Sequence, residues 1–281
     1  MQGKIVVISG ATSGIGEVAA QRLAAMGARM VLIARDKVRG QETLNRLPGN
    51  ATGAAHAIYY GDLSRISETK RVAAQIAAAE PRIDVLINNA GALFGARGVT
   101  PDGLEKTFAT NHMSYFVLTL GLRQSLVAAA PARVVSTASD AHKGYTLDFD
   151  DLQATKKYFS MGAYGRSKLC NILFTRELSR RWSGTGVTLN CLHPGFVATR
   201  FGDGSGGLLS RVVSVAKLFA IPPEKGAETI VYLASSPEVA KISGEYFYKC
   251  CPATPTAAAR DNEAAKRLWM ESEKLAGIYD K

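Results

Sequence analysis

The chain has 281 residues, of which 47% are hydrophobic, and it carries a formal net charge of +10 at pH 7. This length and apolar content suffice for one large α/β domain or two small ones, and they exclude a wholly disordered protein. The basic residues are scattered, without a run of five or more and without interleaved aromatic residues, so the charge does not indicate nucleic-acid binding. We interpret it as the charge of a solvated, mixed surface.

The sequence predicts a reduced, cytoplasmic protein. It begins directly with a strand, so no signal peptide is expected, and no apolar stretch reaches the roughly 20 residues that span a bilayer. No metal site is predicted, because metal-ligand spacing is missing from the few cysteines, which are Cys170, Cys191, Cys250 and Cys251. We interpret the neighbouring pair Cys250 and Cys251 as inert filler at a strand end rather than as a redox switch.

Short runs rich in valine and isoleucine alternate with longer helical patterns along the chain. The predicted strands are Ile5–Ser9, Met30–Ala34, Ala57–Tyr60, Val85–Asn88, Arg133–Thr137, Val187–Leu192 and Glu245–Tyr248. The predicted helices are Gly16–Met26, Arg39–Leu47, Ile66–Ala79, Gly103–Ala129, Ala163–Ser183 and Lys225–Ala234. This alternation predicts one α/β domain over residues 1–281, built on a doubly wound parallel sheet of about seven strands with helices on both faces.

Two signals refine this outline. Thr100 and Pro101 predict the start of the fourth helix, because a hydroxyl caps the helix and proline costs little in the first turn. Two long segments, Asp140–Gly162 and Ala198–Pro223, fit no regular element and follow strand ends, where open α/β sheets bind ligands. We interpret the second, near residues 198–223, as a mobile substrate lid with an apolar face. A plain pair of surface helices is the alternative.

A glycine-rich turn joins the first strand to the first helix. Ser9 and Gly10 end the strand, and Gly14 and Gly16 open the helix. Glycine allows backbone N–H groups to approach a pyrophosphate closely, and the helix N-terminus favours the negative charge. The turn therefore predicts a bound dinucleotide, although its spacing differs from the common Gly-x-Gly-x2-Gly pattern.

The end of the second strand favours NADP over NAD as the cofactor. Folds that prefer NAD place an acidic residue there, on the ribose 2′-hydroxyl, whereas this chain has Ala34 and Arg35. A guanidinium suits a 2′-phosphate, and the hydroxyl of Ser13 is a second candidate ligand. Asp36 follows, with a side chain that we expect to point away. The alternative is that Arg35 only solvates a strand end, with NAD as the cofactor.

Tyr164 and Lys168 lie one helical turn apart, which places a phenol beside an ammonium group. An opposite charge at about 4–6 Å lowers the pKa of an acid by roughly 1–3 units. We therefore expect Lys168 to lower the pKa of Tyr164 and to make it a general acid or base. By itself such a pair is most often coincidental, so the prediction depends on the surrounding motifs.

Taken together, these motifs resemble those of the short-chain dehydrogenase/reductase family over nearly the whole chain. Further matches are Asp62 with Leu63, the segment Asn88–Gly91, and Pro194 with Gly195. The resemblance implies a Rossmann-type fold and a role in cofactor binding for Gly10, Ser13, Gly14, Ile15, Gly16, Arg35, Asp62, Leu63, Asn89, Ala90, Gly91, Tyr164, Lys168, Pro194, Gly195, Val197 and Thr199.

The resemblance also implies a catalytic tetrad of Asn111, Ser139, Tyr164 and Lys168. Tyr164 would exchange the proton, and Ser139 would bind the substrate oxygen and stabilise charge developing there. Lys168 would hold the nicotinamide ribose, and Asn111 would bind a water that relays protons to solvent. The cofactor would supply the hydride.

The closest resemblance is to the retinol-dehydrogenase-like branch. It rests on Thr110–Phe116, Ala163–Phe174, His193–Gly195 and the pair Leu268 and Trp269. The membrane anchor of many animal relatives is not expected here, which argues against a retinoid as the native substrate. The apolar residues of the segment near 198–223 instead predict a hydrophobic or bulky aldehyde or ketone. Family members are commonly homodimers or homotetramers built on the helices that carry Asn111 and Tyr164, and an oligomer is expected for this chain.

Two other functions remain open from the sequence. A nucleotide-sugar epimerase or dehydratase would share the fold, but those relatives have longer chains and Gly-x2-Gly-x2-Gly spacing. A non-enzymatic dinucleotide sensor would usually lack the tyrosine or the lysine, and both Tyr164 and Lys168 are present.

Overall fold

The computed structural model describes residues 1–49, 53–197 and 221–280. The strands of this part of the chain form one eight-stranded sheet in the order β3-β2-β1-β4-β5-β6-β7-β8. They are β1 Ile5–Ser9, β2 Arg29–Ala34, β3 Ala57–Tyr60, β4 Val85–Asn88, β5 Ala132–Thr137, β6 Val187–His193, β7 Tyr246–Tyr248 and β8 Cys251–Pro252. The first seven pair in parallel, which confirms the predicted doubly wound sheet.

The eighth strand was not predicted. β8 is only two residues long and pairs antiparallel with β7. Lys249 and Cys250 join them with positive φ angles of 51° and 61°, the left-handed conformation that a two-residue hairpin turn requires. Cys250 and Cys251 therefore lie at a hairpin edge.

Both faces of the sheet are covered by helices, as the sequence predicts. The helices are α1 Gly14–Ala25, α2 Lys37–Arg46, α3 Ile66–Ala79, α4 Lys106–Phe108, α5 Ser114–Gly121, α6 Arg123–Ala128, α7 Ser160–Arg181, α8 Pro223–Ser235 and α9 Asn262–Ala276. One core contains residues of α1 and α8, and the other contains residues of α3, α5, α7 and α9.

The central strand β1 is almost entirely apolar because both of its faces are buried. Val7 contributes to one core, whereas Val6 and Ile8 contribute to the other, and all three are fully buried. Alternate side chains of a strand point to opposite faces, so a strand covered on both sides needs apolar residues throughout. Each such side chain contributes about 1.5–3 kcal/mol by burial.

The predicted helix over Gly103–Ala129 is wrong in its start and in its continuity. Gly103 lies in a turn with a φ of 79°, and the helix begins at Lys106. Glu105 caps it, because its carboxylate accepts the N–H groups of Thr107 and Phe108 at 2.8 Å each. A π-helical turn over Ala109–Met113 then separates α4 from α5.

The C-terminal helix α9 was not predicted as an element. Asp261 caps its start, and Gly277 ends it in the left-handed conformation with a φ of 59°. Its buried residues recur at helical spacing, and they are Ala265, Leu268, Trp269, Ser272 and Ala276. The capping residues and the helical periodicity that indicate this helix are therefore both visible in the sequence.

Some predictions concern residues that lie outside the described part of the chain. The segment proposed as a lid, near residues 198–223, and Thr199 lie outside the described residues, apart from 221–223. Among the described helices, none combines the length and the apolar character that crossing a bilayer needs. No cluster of three or more potential metal ligands occurs in the described ranges.

Candidate active site

The predicted site residues converge at the carboxyl ends of the central strands. Gly10 follows β1, Asn89 follows β4, Ser139 lies two residues beyond β5, and Pro194 follows β6. Parallel strands end at the same edge of a sheet, so these segments share one crevice. Helix α7 brings Tyr164 to it.

The glycine-rich turn leaves no room for side chains. A Cβ on Gly16 would collide with the Gly10 carbonyl and the Asn89 amide, and one on Gly10 would lie 2.7 Å from the Ala90 Cα. Gly10 also has a φ of 69°. Ser13 precedes α1, and its side chain does not cap that helix. This is a backbone cradle that fits a pyrophosphate at a helix N-terminus.

Asn89 ties three strand ends together. Its side-chain amide donates to the Gly10 carbonyl at 3.1 Å and accepts from the Thr137 hydroxyl at 3.2 Å. The Ser9 hydroxyl in turn accepts the backbone N–H groups of Asn89 and Ala90 at 3.0 and 3.1 Å. The floor of the crevice is therefore rigid before any ligand binds.

Two cationic side chains follow β2. Arg35 and Lys37 are exposed and line an open groove whose other charged residues are Asp62, Glu68 and Arg71. Asp36 accepts the Arg39 backbone N–H at 3.0 Å and so caps α2, which agrees with the expectation that it points away. Asp62 accepts the Ser64 N–H and hydroxyl at 3.1 and 2.8 Å through one oxygen.

On the opposite side, Pro194 to Val197 follow β6. Gly195 has a φ of 90°, and the Phe196 carbonyl accepts the Ile221 N–H at 2.8 Å. Ile15 and Val197 both pack against the position of Gly226 in α8, where a Cβ would lie 2.6 Å from each. The structure thus brings these two predicted cofactor residues together.

The predicted tetrad also converges. The Ser139 side chain lies beside the phenol of Tyr164 and acts to lower its pKa. The Lys168 Nζ lies 5.6 Å from the Tyr164 ring centre and donates to the Thr137 carbonyl at 2.9 Å. Asn111 lies close by, because a Cβ on Gly91 would be 3.4 Å from its Oδ1 and 3.5 Å from the Lys168 Nζ.

Asn111 occupies the π-helical turn and is fully buried. Its Oδ1 accepts the Ala92 N–H at 2.8 Å, and its Nδ2 donates to the Ala92 carbonyl and the Ser167 hydroxyl, both at 2.9 Å. The side chain therefore fixes the segment after β4 against α7.

Known proteins resemble this chain throughout its length. Residues 4–205 match the family described as short chain dehydrogenase. Retinol dehydrogenase 13 of Homo sapiens is 38% identical over 282 residues, which cover 98% of this chain and 85% of that protein. A family match of this extent and a relative of this identity decide the family. The chain belongs to the short-chain dehydrogenase family.

Solved structures agree with this assignment. An uncharacterized protein from Mycobacterium paratuberculosis is 29% identical to this dehydrogenase, with a TM-score of 0.79 and coverage of 99% of this chain and 94% of that one. The Pseudomonas aeruginosa RhlG/NADP active-site complex is 26% identical, with a TM-score of 0.69 and coverage of 88% and 94%. The predicted family and the retinol-dehydrogenase-like branch are confirmed.

Membership establishes the reaction class. This dehydrogenase is an NAD(P)-dependent oxidoreductase that acts on CH–OH or C=O groups of a small-molecule substrate. The backbone cradle at Gly10 and Gly16, where a Cβ would collide with its surroundings, fits the nicotinamide dinucleotide that such a reaction requires.

The prediction that Lys168 lowers the pKa of Tyr164 is wrong for the chain without a bound ligand. Burial raises the pKa of Tyr164 above its ordinary value, and the Ser139 side chain opposes this only in part. Burial also lowers the pKa of Lys168 to about 7. In this dehydrogenase Lys168 is buried and Tyr164 is half-buried, and desolvation disfavours the ammonium and the phenolate alike. Lys168 therefore does not acidify Tyr164 as we expected.

Several residues of the dehydrogenase site were missed in the sequence. Thr137 supplies a carbonyl to Lys168, and Ser167 supplies a hydroxyl to Asn111. His142 accompanies the Ser139 turn and is fully buried. The sequence shows that these residues are close neighbours of predicted site residues along the chain. It does not show their hydrogen bonds, which join segments that only the fold brings together.

Proposed function

We propose that this short-chain dehydrogenase transfers a hydride between NADP and an apolar aldehyde or ketone, or the corresponding alcohol, through Asn111, Ser139, Tyr164 and Lys168. The observation that carries the proposal is the convergence of these side chains: the Lys168 Nζ lies 5.6 Å from the centre of the phenol ring, Ser139 lies beside that phenol, and Asn111 and Lys168 meet at Gly91. We also propose that residues 1–281 act as one catalytic domain.

Tyr164 is suited to act as the general acid in carbonyl reduction. A phenol is protonated near neutral pH whether or not its pKa is raised, so Tyr164 carries the proton that the substrate oxygen takes up. Ser139, beside the same phenol, would hold that oxygen and stabilise the negative charge that develops there. The bound cofactor supplies the hydride to the carbonyl carbon.

Lys168 and Asn111 would restore the proton. A lysine with a pKa of about 7 exchanges protons readily near neutrality. The Asn111 side chain is engaged by Ala92 and Ser167, so the relay water that we predicted would contact a main-chain carbonyl of the π-helical turn instead. Such turns interrupt the regular helical pairing and frequently occur at functional sites.

The two cations that follow β2 support NADP as the preferred cofactor. Arg35 and Lys37 are both exposed, and Asp36 is engaged in capping α2. A guanidinium and an ammonium suit a 2′-phosphate, whereas a ribose diol would call for a carboxylate. NAD is the alternative cofactor.

Apolar side chains around the crevice support an apolar substrate. Phe159 precedes α7 and is 60% exposed, and Phe196 follows the Pro194–Gly195 segment and is 55% exposed. Aromatic side chains beside a site can contribute apolar contacts to a ligand that binds there. The related protein from Homo sapiens is named for retinol, an apolar alcohol.

Replacement of the phenol tests the mechanism. We expect Tyr164→Phe to retain the fold and NADPH binding but to lose turnover by roughly 10²–10⁴-fold, the usual contribution of a general acid. NADPH absorbance with a panel of aldehydes and ketones measures turnover, and fluorescence titration measures binding. Tyr279→Phe, at an exposed tyrosine near the C-terminus, is the matched control.

The same assay separates the alternative function. A dinucleotide sensor would bind NADPH in the titration yet show no absorbance change with any carbonyl compound of the panel. Near-normal reduction by Tyr164→Phe would instead remove the proposed role of the phenol while leaving the reaction class intact.

A further inference from the structure

We propose that His142 is a positioning residue that holds Ser139 in its catalytic orientation by clamping the backbone of the Ser139 turn to the C-terminal segment. The inference rests on the proposed role of Ser139 in binding the substrate oxygen. His142 itself lies in neither the predicted tetrad nor the predicted cofactor site.

The hydrogen bonds of His142 define its tautomer. Its Nδ1 lies 2.7 Å from the Ser139 carbonyl, and its Nε2 lies 3.4 Å from the backbone N–H of Thr256. A carbonyl only accepts and a backbone N–H only donates, so Nδ1 carries the proton and Nε2 accepts. The ring is fully buried, and burial lowers its pKa, which keeps it in this neutral form.

The clamp acts on a tight turn. Ser139 caps a short 3-10 helix over Asp140–His142, and its hydroxyl accepts the Ala141 N–H at 3.1 Å. The His142 backbone N–H donates to the same Ser139 carbonyl at 3.1 Å that the ring Nδ1 contacts. The ring thus adds a second bond to the carbonyl of the residue whose hydroxyl meets Tyr164.

The turn is held on two other sides. Helix α7 packs closely against it, since a Cβ on Gly165 would lie 2.6 Å from the Ala141 carbonyl. The Tyr246 hydroxyl donates to Asp140 at 2.7 Å, and the Tyr246 ring meets the His142 ring edge-on at 5.5 Å. Among the hydrogen bonds of the described residues, that of His142 alone connects the turn to Thr256, which lies in the segment that precedes α9.

Charged groups surround the turn without contacting the ring nitrogens. Asp140 pairs with Lys143 at 2.7 Å and lies 3.9 Å from the His193 ring. The described partners of the His142 nitrogens are both backbone groups, so its role is to fix geometry rather than to exchange protons.

Two conservative variants separate the two bonds. In His142→Asn the amide nitrogen can replace Nδ1 as donor to the Ser139 carbonyl, whereas in His142→Gln the amide oxygen can replace Nε2 as acceptor from Thr256. We expect His142→Ala to lower kcat about 10- to 100-fold, as a misplacement near 1 Å does, with the NADPH dissociation constant unchanged. His142→Asn should restore kcat to within about threefold, whereas His142→Gln should restore Tm but not kcat.

His56 provides a matched control. Its Nδ1 accepts the Met30 N–H at 3.0 Å and its Nε2 lies 2.8 Å from the Pro48 carbonyl, so it also bridges two backbone segments, far from the site. His56→Ala should lower Tm and leave kcat per folded molecule unchanged.

A double-mutant cycle with Ser139 decides the outcome. Because His142 acts through Ser139, adding His142→Ala to Ser139→Ala should change the single-turnover rate less than about twofold. If Ser139→Ala alone keeps normal turnover, the proposed role of Ser139 is wrong and this inference is lost with it. If Ser139→Ala loses turnover but the effects add, or if His142→Ala behaves like His56→Ala, only the inference is overturned. If His142→Ala does not fold, the other two variants decide: a higher kcat for His142→Gln than for His142→Asn overturns the inference.

Discussion

The buried Lys168 lowers the stability of the folded chain at a position where the proposed site uses its amino group. It is 3% exposed, its ammonium donates to the Thr137 carbonyl, and its pKa falls to about 7 because burial disfavours the charge. The folded chain therefore binds a proton less tightly at this position than the unfolded chain does. Functional sites commonly retain such costs.

This gives a pH-dependent prediction for Lys168→Met. Between pH 7 and 10.5 the unfolded lysine holds its proton and the folded one does not, so the stability of the native protein should rise with pH. The free energy of unfolding of the native protein, relative to that of Lys168→Met, whose side chain does not titrate, should therefore rise with pH. The slope should approach about 1.4 kcal/mol per pH unit. Urea unfolding at pH 7 and pH 9 measures it, and equal differences at both pH values would contradict it.

Arg35 carries the second prediction at this scale. Arg35→Asp should reverse the charge beside the 2′ position and lower the ratio of kcat/KM with NADPH to that with NADH by about 10- to 100-fold, the effect of losing a charged hydrogen bond. Arg82→Asp makes the same change of net charge at an exposed position before β4, and it should leave the ratio unchanged. A ratio that stays constant in Arg35→Asp would remove the preference for NADP.

At the scale of elements, α9 supports the helices that carry the site. Trp269 is 1% exposed, stacks on Phe174 of α7 and meets Phe116 of α5 at 5.0 Å. Arg181 lies over its ring at 4.4 Å, and Ser272 bonds His112 of the π-helical turn at 2.8 Å. The helix thus packs against both α7 and the turn that contains Asn111.

We therefore expect Trp269→Ala to lower the free energy of unfolding by about 3–5 kcal/mol, the usual cost of removing a buried tryptophan. Met270→Ala, at the neighbouring position that is 57% exposed, should change it by about 0.5 kcal/mol or less. Chemical denaturation compares the two. Equal effects of both substitutions would show that α9 does not stabilise the core as its packing indicates.

At the scale of the whole molecule, the position of α9 bears on assembly. The predicted homodimer or homotetramer would use the helices that carry Asn111 and Tyr164, yet α9 covers part of α5 and α7 with its own apolar face. A partner that bound these helices would have to dock beside α9, because displacing α9 would cost about the free energy that burial of Trp269 contributes.

Hydrogen exchange tests whether α9 stays in place on assembly. We expect amides of α9 to show the same protection at concentrations below and above the onset of assembly, which light scattering defines. Their protection comes from contacts within the chain. Protection of α9 that falls with assembly would show that a partner displaces it.

Much of this architecture follows from patterns within short windows. The bounds of β1, β3, β4 and α3 agree with their predictions, because uninterrupted apolar runs and helical periodicity are local signals. The helix over Gly103–Ala129 failed for a different reason. The cap at Glu105 is local, but the π-helical turn depends on contacts with other segments, such as the bond between Asn111 and Ala92, that no short window contains.

By itself the sequence determined the parallel sheet, the glycine cradle and the spacing that puts Tyr164 and Lys168 on one helical face. It also determined the family, through motifs in a set order. Only the tertiary structure decided the sign of the Tyr164 pKa shift and the bonds of His142 to Ser139 and Thr256. The physical reason is that desolvation and long-range hydrogen bonds depend on every segment packed around a group, whereas periodicity depends only on its neighbours along the chain.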